Sequence, residues 1–371
     1  MREPATVAAL AAATAHRNHD RVAVAWRPTG DDASTWSSRT WAELARRWRH
    51  GALALEADGL QPGDRVRVPA DVAHEWTEIE HGVLAAGGVS VAGDAPSDVA
   101  HVVTAARWHD LVARGAEIDD EQPDRFEKLV ERIDPDAPAT VDGDRELSHG
   151  QVLWWARSLD RFVTPVVEDE REEHTVACIG VGSFLGRLFA QYWPARTGAT
   201  VWWPAHGATS DAVTDVVREA QPTVLAGPAS LWRDLAAVAA ARANDTWLAL
   251  GRTHVAGEPM GATARASRRA LQRMFGRRLA RDLGIDRCHT RLAVDDLDRA
   301  TSRELAAVGI DVARAFAPSA CGVVAVDGRV APGVAARVRA GEVDVRGPGT
   351  IEWTATGLAG AIDERGRLLA G

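Results

Sequence analysis

Apolar residues recur at helical spacing soon after the N-terminal region. Thr40-Trp-Ala-Glu43 has the form of a capping box, and Trp41, Leu44, Ala45, Trp48, Ala52 and Leu55 follow at that spacing until Asp58-Gly59. The spacing predicts a long amphipathic helix. Gln61-Pro-Gly-Asp64 reads as a turn into a short strand over 65–68, and a helix over 75–87 feeds a strand over 89–91. Buried strands are expected over 176–180, 199–203 and 223–226, separated by helices over 184–196 and 211–220. This alternation predicts an α/β fold. From 323 to 369 the pattern changes to short strands with turns at Asp327-Gly328, Pro332-Gly333, Gly347-Pro-Gly349 and Glu364-Arg-Gly366. The expected organisation is a first αβ subdomain over 1–150, a second over 151–322 and a small β subdomain over 323–371. The acidic stretch 110–135 reads as the most loop-like portion.

With 371 residues the chain can build two or three packed layers. A net charge of −9 argues against nucleic acid as a partner, because phosphate recognition needs a cationic surface. No apolar run approaches the roughly 20 residues of a membrane-spanning helix, and the N-terminus has no signal-peptide pattern, so a cytoplasmic location is expected. Cys178, Cys288 and Cys321 are isolated and read as buried free thiols rather than a metal site. Of 43 basic residues only Lys128 is lysine, and it lies in a charged stretch, Asp124 to Arg132, that reads as a solvated helix. A mechanism needing a catalytic lysine has one candidate.

Several features imitate chemistry. Gly180-Val-Gly182 resembles a dinucleotide-binding turn, but the third glycine is displaced to Gly186, which suits a close strand–helix turn. Ser148-His149 and Ser183 lack a nucleophile elbow, so capping and packing are expected of them. Asp295, Asp296 and Asp298 lack the remainder of a calcium loop; they suit a solvated segment before a helix capped through Thr301-Ser-Arg-Glu304. Over 264–283, Arg265, Arg269, Arg273, Arg277 and Arg281 form one i+4 row, and Leu271, Phe275, Leu279 and Leu283 form another about 200° away. Such a helix can face the core with a solvated basic side, or meet an anionic membrane or acidic partner.

Ordered segments along most of the chain resemble the adenylate-forming superfamily, in particular its long-chain fatty acyl-CoA synthetase branch. They include Thr40-Trp-Ala-Glu-Leu44, Gly59-Leu-Gln-Pro-Gly-Asp-Arg-Val66, Gly82-Val-Leu-Ala-Ala-Gly87, Asp134-Pro-Asp-Ala-Pro-Ala-Thr140, Gly198-Ala-Thr-Val-Trp202, Gln221-Pro-Thr-Val224 and Gly341-Glu-Val-Asp-Val-Arg-Gly-Pro348. The resemblance implies two stacked αβ subdomains plus a small β-barrel-like subdomain.

The departures from the family pattern fall on its nucleotide site. After Ala139-Thr140 the family has a phosphate loop; here Asp142-Gly143-Asp144 stands instead, and a type I′ hairpin turn at Asp142-Gly143 is expected to pair 139–141 with 145–147. The adenine motif ending in a magnesium-binding Glu aligns with Ala315-Phe316-Ala-Pro-Ser319-Ala320, so that carboxylate becomes Ala320. The ribose-binding Asp becomes Leu358, which cannot accept hydrogen bonds. The family's small nucleotide loop corresponds to the acidic Val294–Asp298. The chain stops where the family's hinge begins, so its mobile C-terminal domain is expected to be absent. Losing three or four charge-assisted contacts costs on the order of 5–10 kcal/mol, against about −4 kcal/mol for millimolar binding.

The resemblance would assign fatty acid activation; the departures lead instead to the expectation of a non-catalytic protein with no nucleotide cofactor and no metal. An acyl pocket lined by Phe184, Trp202 and Trp203 is one expectation, with 14 Trp residues in the chain; core filling is the plainer role for these aromatics. The expected partners are a fatty acyl ligand, an intact acyl-CoA synthetase, or a membrane met peripherally. Retained ligase activity through a rebuilt nucleotide site, and a purely structural role beside an intact ligase, are the rivals.

Overall fold

The computed structural model describes residues 3–28, 35–69, 74–92, 99–163, 172–205, 207–318, 321–347 and 353–370. Four sheets with helices packed against them make a mixed α/β architecture. The first sheet has the order His101–Val102, Arg65–Val68, Val89–Ala92, Pro138–Asp142, Arg145–Ser148; its strands are parallel except for the last pair. The second has the order Ser37–Thr40, Val22–Trp26, Thr200–Trp203, His174–Val176. The N-terminal hairpin therefore lies with strands from beyond residue 170, and the sheets interleave along the sequence. The third sheet runs Val224–Gly227, Thr290–Ala293, Ala313–Phe316, Ala325–Val326, Arg329–Val330. Reciprocal hydrogen bonding joins it to the second: His174 donates its N–H to Thr223 Oγ1, and Thr223 donates its N–H to the His174 carbonyl, both at 2.9 Å.

The capping box at Thr40 forms, with Glu43 bonded back to the Thr40 N–H at 2.8 Å, and the helix Trp41–Ala57 buries Trp41, Leu44, Trp48, Ala52 and Leu55. Its partner corrects the sequence expectation for 110–135. That stretch contains the helices Ala105–Glu121 and Arg125–Glu131. Trp108, Leu111 and Val112 present one apolar face, and Gly115 lets the two backbones approach so closely that an added Cβ would stand 1.8 Å from the His50 carbonyl oxygen. The high charge of the segment lies on the opposite, solvated face. Lys128 is exposed there, as expected, beside a surface cleft of about 580 Å³ that also includes Glu56, Gln122, Asp124, Arg125 and Arg132.

The C-terminal strands Ala335–Arg339, Glu342–Arg346, Thr354–Ile362 and Leu368–Ala370 form an antiparallel sheet; among the described residues no barrel closes. Two further expectations shift slightly. The strand expected over 176–180 runs from His174 to Val176, and the helix expected over 184–196 contains a π-helical segment, Leu188–Tyr192, between Phe184–Arg187 and Trp193–Thr197.

Candidate functional site

In open α/β sheets ligands bind beyond the carboxyl ends of parallel strands. Here Pro138–Asp142 ends in a tight hairpin with Arg145–Ser148. Asp142 pairs with Arg145, Val141 with Glu146, and Thr140 with Leu147. The antiparallel pairing matches the sequence expectation, but the turn does not. Its two central residues are Gly143 and Asp144, with φ of +63° at Gly143 and no positive φ at Asp144, the pattern of a type II′ turn rather than type I′. Asp142 is consequently the last strand residue, and its side chain turns inward.

The Asp142 carboxylate accepts the backbone N–H of Phe184 at 2.8 Å. Ser183, the N-cap of the same helix, accepts the N–H of Gly186 at 3.1 Å and donates its hydroxyl to the Gly180 carbonyl at 3.0 Å. One turn on, the fully buried Arg187 donates to Thr140 Oγ1 and to the Val141 carbonyl, each at 2.8 Å, and its guanidinium lies 3.6 Å from Asp142. A helix N-terminus and a guanidinium are the two groups best suited to an anion. Both face a carboxylate supplied by the chain itself.

Farther along the same helical run, Tyr192 meets a buried carboxylate, Glu80 of the helix Glu75–Ala85. It accepts the Tyr192 hydroxyl at 2.6 Å and the Trp76 indole N–H at 2.8 Å. Burial, reinforced by the charge of Glu80, pushes the Tyr192 hydroxyl well above its ordinary range, against the opposing effect of Arg187. Tyr192 is therefore a neutral donor. Gln191 donates to the Thr77 carbonyl at 2.9 Å, so the π-helical segment is tied to the helix Glu75–Ala85 by side chains.

The acidic segment 294–298 also caps helices. Asp295 accepts the N–H of Ala229 at 2.5 Å, at the start of the helix Ala229–Arg242. Asp298 accepts the N–H of Thr301 at 2.8 Å, which holds its carboxyl below the usual range; Asp298, rather than Thr301, is the cap of the Arg299–Ala307 helix. Among the described residues no group of three or more His, Cys, Asp or Glu is arranged to hold a metal.

Other expected site residues are dispersed. Phe316 is half-buried at the end of its strand, Ser319 and Ala320 lie outside the described residues, and Leu358 is 39% exposed. Gly143 and Asp144 are exposed. Phe184 is buried in a core with Tyr192, Leu188 and Trp193. Trp202 and Trp203 project to opposite sides of their strand, Trp203 into the core with Trp41 and Trp48 and Trp202 against Trp36 and His174. The three aromatics are not brought together. Arg265, Arg269, Arg273, Arg277 and Arg281 are all exposed on the helix Ala262–Asp282, while Leu279 and Leu283 are buried.

Arg187, Glu80 and Tyr192 were not singled out in the sequence. The available signal was a charge inside an apolar run: Arg187 and Gln191 stand at i and i+4 within Phe184–Trp193, and Glu80 sits between Ile79 and Val83. Polar residues at core spacing imply buried partners.

The chain matches the family of AMP-binding enzymes over residues 11–179. No curated protein is similar to it in sequence. Among solved structures, the N-terminal domain of FACL13 from Mycobacterium tuberculosis shares 14% identity and a TM-score of 0.65, with all of each chain covered. Apo MatB from Rhodopseudomonas palustris shares 17% identity and a TM-score of 0.64, over 99% of this chain and 78% of that one. O-succinylbenzoate coenzyme A synthetase from Bacillus subtilis, determined in complex with AMP, shares 12% identity and a TM-score of 0.65, over 98% and 97% of the two chains. Over residues 11–179 the chain is thus similar in sequence to AMP-binding enzymes, and along its length it shares the fold of these acyl-activating structures.

Proposed function

We propose that this chain is an acyl-CoA synthetase-like protein that has lost ATP-dependent adenylation and acts by binding an acyl group or by assembling with other proteins. The observation that carries the reading is Asp142 on the Phe184 N–H with Arg187 behind it. A triphosphate needs several convergent donors. A two-residue turn offers few, and a carboxylate at the helix N-terminus repels the phosphate that would compete for it. Leu358 in place of a ribose acceptor adds to the deficit. Adenylation also stabilises charge on phosphorus in the transition state, so absent donors lower the chemical step as well as binding.

The direct test is pyrophosphate exchange with fatty acids of several chain lengths, using protein free of host ligases. No exchange above background is expected. Exchange that tracks the purified chain and disappears when it is unfolded would restore the ligase reading. A fatty acid titration followed by tryptophan fluorescence and heat separates the two non-catalytic roles: saturable binding supports an acyl ligand, and its absence supports assembly, with an intact ligase as the partner to test.

A further inference from the structure

We propose that the helix Ala262–Asp282 docks the protein electrostatically on an anionic lipid surface. This helix carries seven arginines against Asp282, a net +6 in a chain of net −9, which leaves −15 on the remainder. Six of the seven, Arg265, Arg268, Arg269, Arg273, Arg277 and Arg278, have no ion-pair partner among the described residues; only Arg281 has one, Asp286 at 3.7 Å. Elsewhere some arginines are closely paired, as at Arg49, Arg125 and Arg252, and others, such as Arg329 and Arg365, stand without an ion pair among the described residues. What sets this helix apart is density: six arginines without an ion pair fall within fourteen residues of an acidic protein.

The apolar row cannot itself enter a membrane. Leu279 and Leu283 are buried in the protein core, Leu271 and Phe275 pack against it, and Phe275 lies beside Trp247. The arginine row therefore follows the solvated side of the helix, about 24 Å from Arg265 to Arg281 at 1.5 Å per residue, turning by about 40° at each step so that Arg269, Arg273 and Arg277 form its centre. Between the arginines stand Ala266, Ala270 and Gly276, and the exposed apolar side chain on this helix is Met274, 66% exposed. A protein partner is normally held by a central apolar or aromatic cluster, and among the described residues of this helix Met274 is the one large apolar side chain that is exposed. A fluid anionic bilayer needs no matching shape, because headgroups rearrange around each guanidinium. The acidic remainder is repelled by the same surface, so the docked orientation is fixed with this helix against the lipid.

The inference is independent of whether adenylation is lost. The whole chain is sedimented with phosphatidylcholine vesicles containing one-third phosphatidylserine, and with pure phosphatidylcholine vesicles, at 50 and 300 mM salt. Binding to the anionic vesicles alone is expected, falling steeply with salt as screening shortens the reach of the charges. Each arginine neutralised near such a surface should weaken binding about fivefold. The triple substitution R269Q/R273Q/R277Q should then weaken it by about a hundredfold, whereas R329Q/R339Q/R365Q, on exposed arginines of the C-terminal region, should leave it within a few-fold. Matched unfolding midpoints establish that both variants fold; if the first does not, single R269Q and R277Q variants each carry the fivefold expectation. Absence of binding, equal binding to both vesicle types, insensitivity to the helix substitutions, or capture of an acidic protein without vesicle binding would each overturn the proposal.

Discussion

The carboxylate of Asp142 stands 2.8 Å from the backbone nitrogen of Phe184 and caps the helix that carries Arg187. The hairpin and the helix are 42 residues apart in sequence, and this contact with its guanidinium neighbour fastens one to the other. Replacing Asp142 by Ala removes a capping acceptor, worth about 1 kcal/mol, and takes a carboxylate from beside a fully buried guanidinium. A loss of about 2–4 kcal/mol is expected in urea unfolding. In a double-mutant cycle with Arg187→Met the two effects should be coupled rather than additive; additivity would show that Arg187 is satisfied by Thr140 and Val141 alone.

Gly143 adopts φ of +63° with open space where a side chain would go, so substitution there tests backbone conformation without steric clash. Gly143→Ala should destabilise by about 1 kcal/mol. Thermal unfolding with an unchanged circular dichroism spectrum is the measurement, and a neutral result would mean that the turn is not held in its left-handed geometry.

Among the described residues Tyr192 is one of two side-chain donors to the buried Glu80 carboxylate, the other being Trp76. Tyr192→Phe keeps the ring and deletes the hydroxyl. Leaving one carboxylate oxygen short of a donor should cost about 1–3 kcal/mol. A loss no greater than a few tenths in chemical denaturation would indicate that another group takes over.

Acid should unfold this protein through its histidines. Burial holds the pKa of His81 down to about 3 and that of His149 to about 4; burial, then the neighbouring Arg39, holds His74 at about 3. Neither ring nitrogen of His81 has a hydrogen-bond partner among the described residues, whereas His149 Nδ1 accepts the Val7 N–H at 3.4 Å. Each folded-state value lies below the ordinary 6.5, so the unfolded chain takes up protons first. Stability is full above about pH 6.5 and falls as the pH drops toward 4, by about 1.4 kcal/mol per pH unit for each histidine. Burial also lowers His50 and His174, so His81→Leu should flatten this slope by no more than roughly a third, in proportion to one histidine of several, in unfolding series at pH 7.5, 6 and 5. An unaltered slope would remove His81 from the account.

What the sequence determined by itself were properties carried by neighbours along the chain. The capping box at Thr40, the Ser148–Gln151 cap and the hairpin pairing of 139–141 with 145–147 follow from local donors, acceptors and periodicity. The basic row of Ala262–Asp282 was equally legible, because helical spacing alone places its arginines opposite the apolar row. The turn type was not: Asp142-Gly143 and Gly143-Asp144 are both acceptable pairs, and only the register Asp142 opposite Arg145 decides between them. That choice turns Asp142 inward, onto a helix distant in sequence. Within the acidic stretch 110–135 the solvated helix expected from Asp124 to Arg132 forms as Arg125–Glu131, whereas the end of the helix Ala105–Glu121 reads as loop because charge dominates its composition, and the close backbone approach at Gly115 is visible only once His50 lies opposite. Arg187, Glu80 and Tyr192 depended most on tertiary structure. A charge or hydroxyl can be buried only when partners from other segments satisfy it, and no local pattern names those partners.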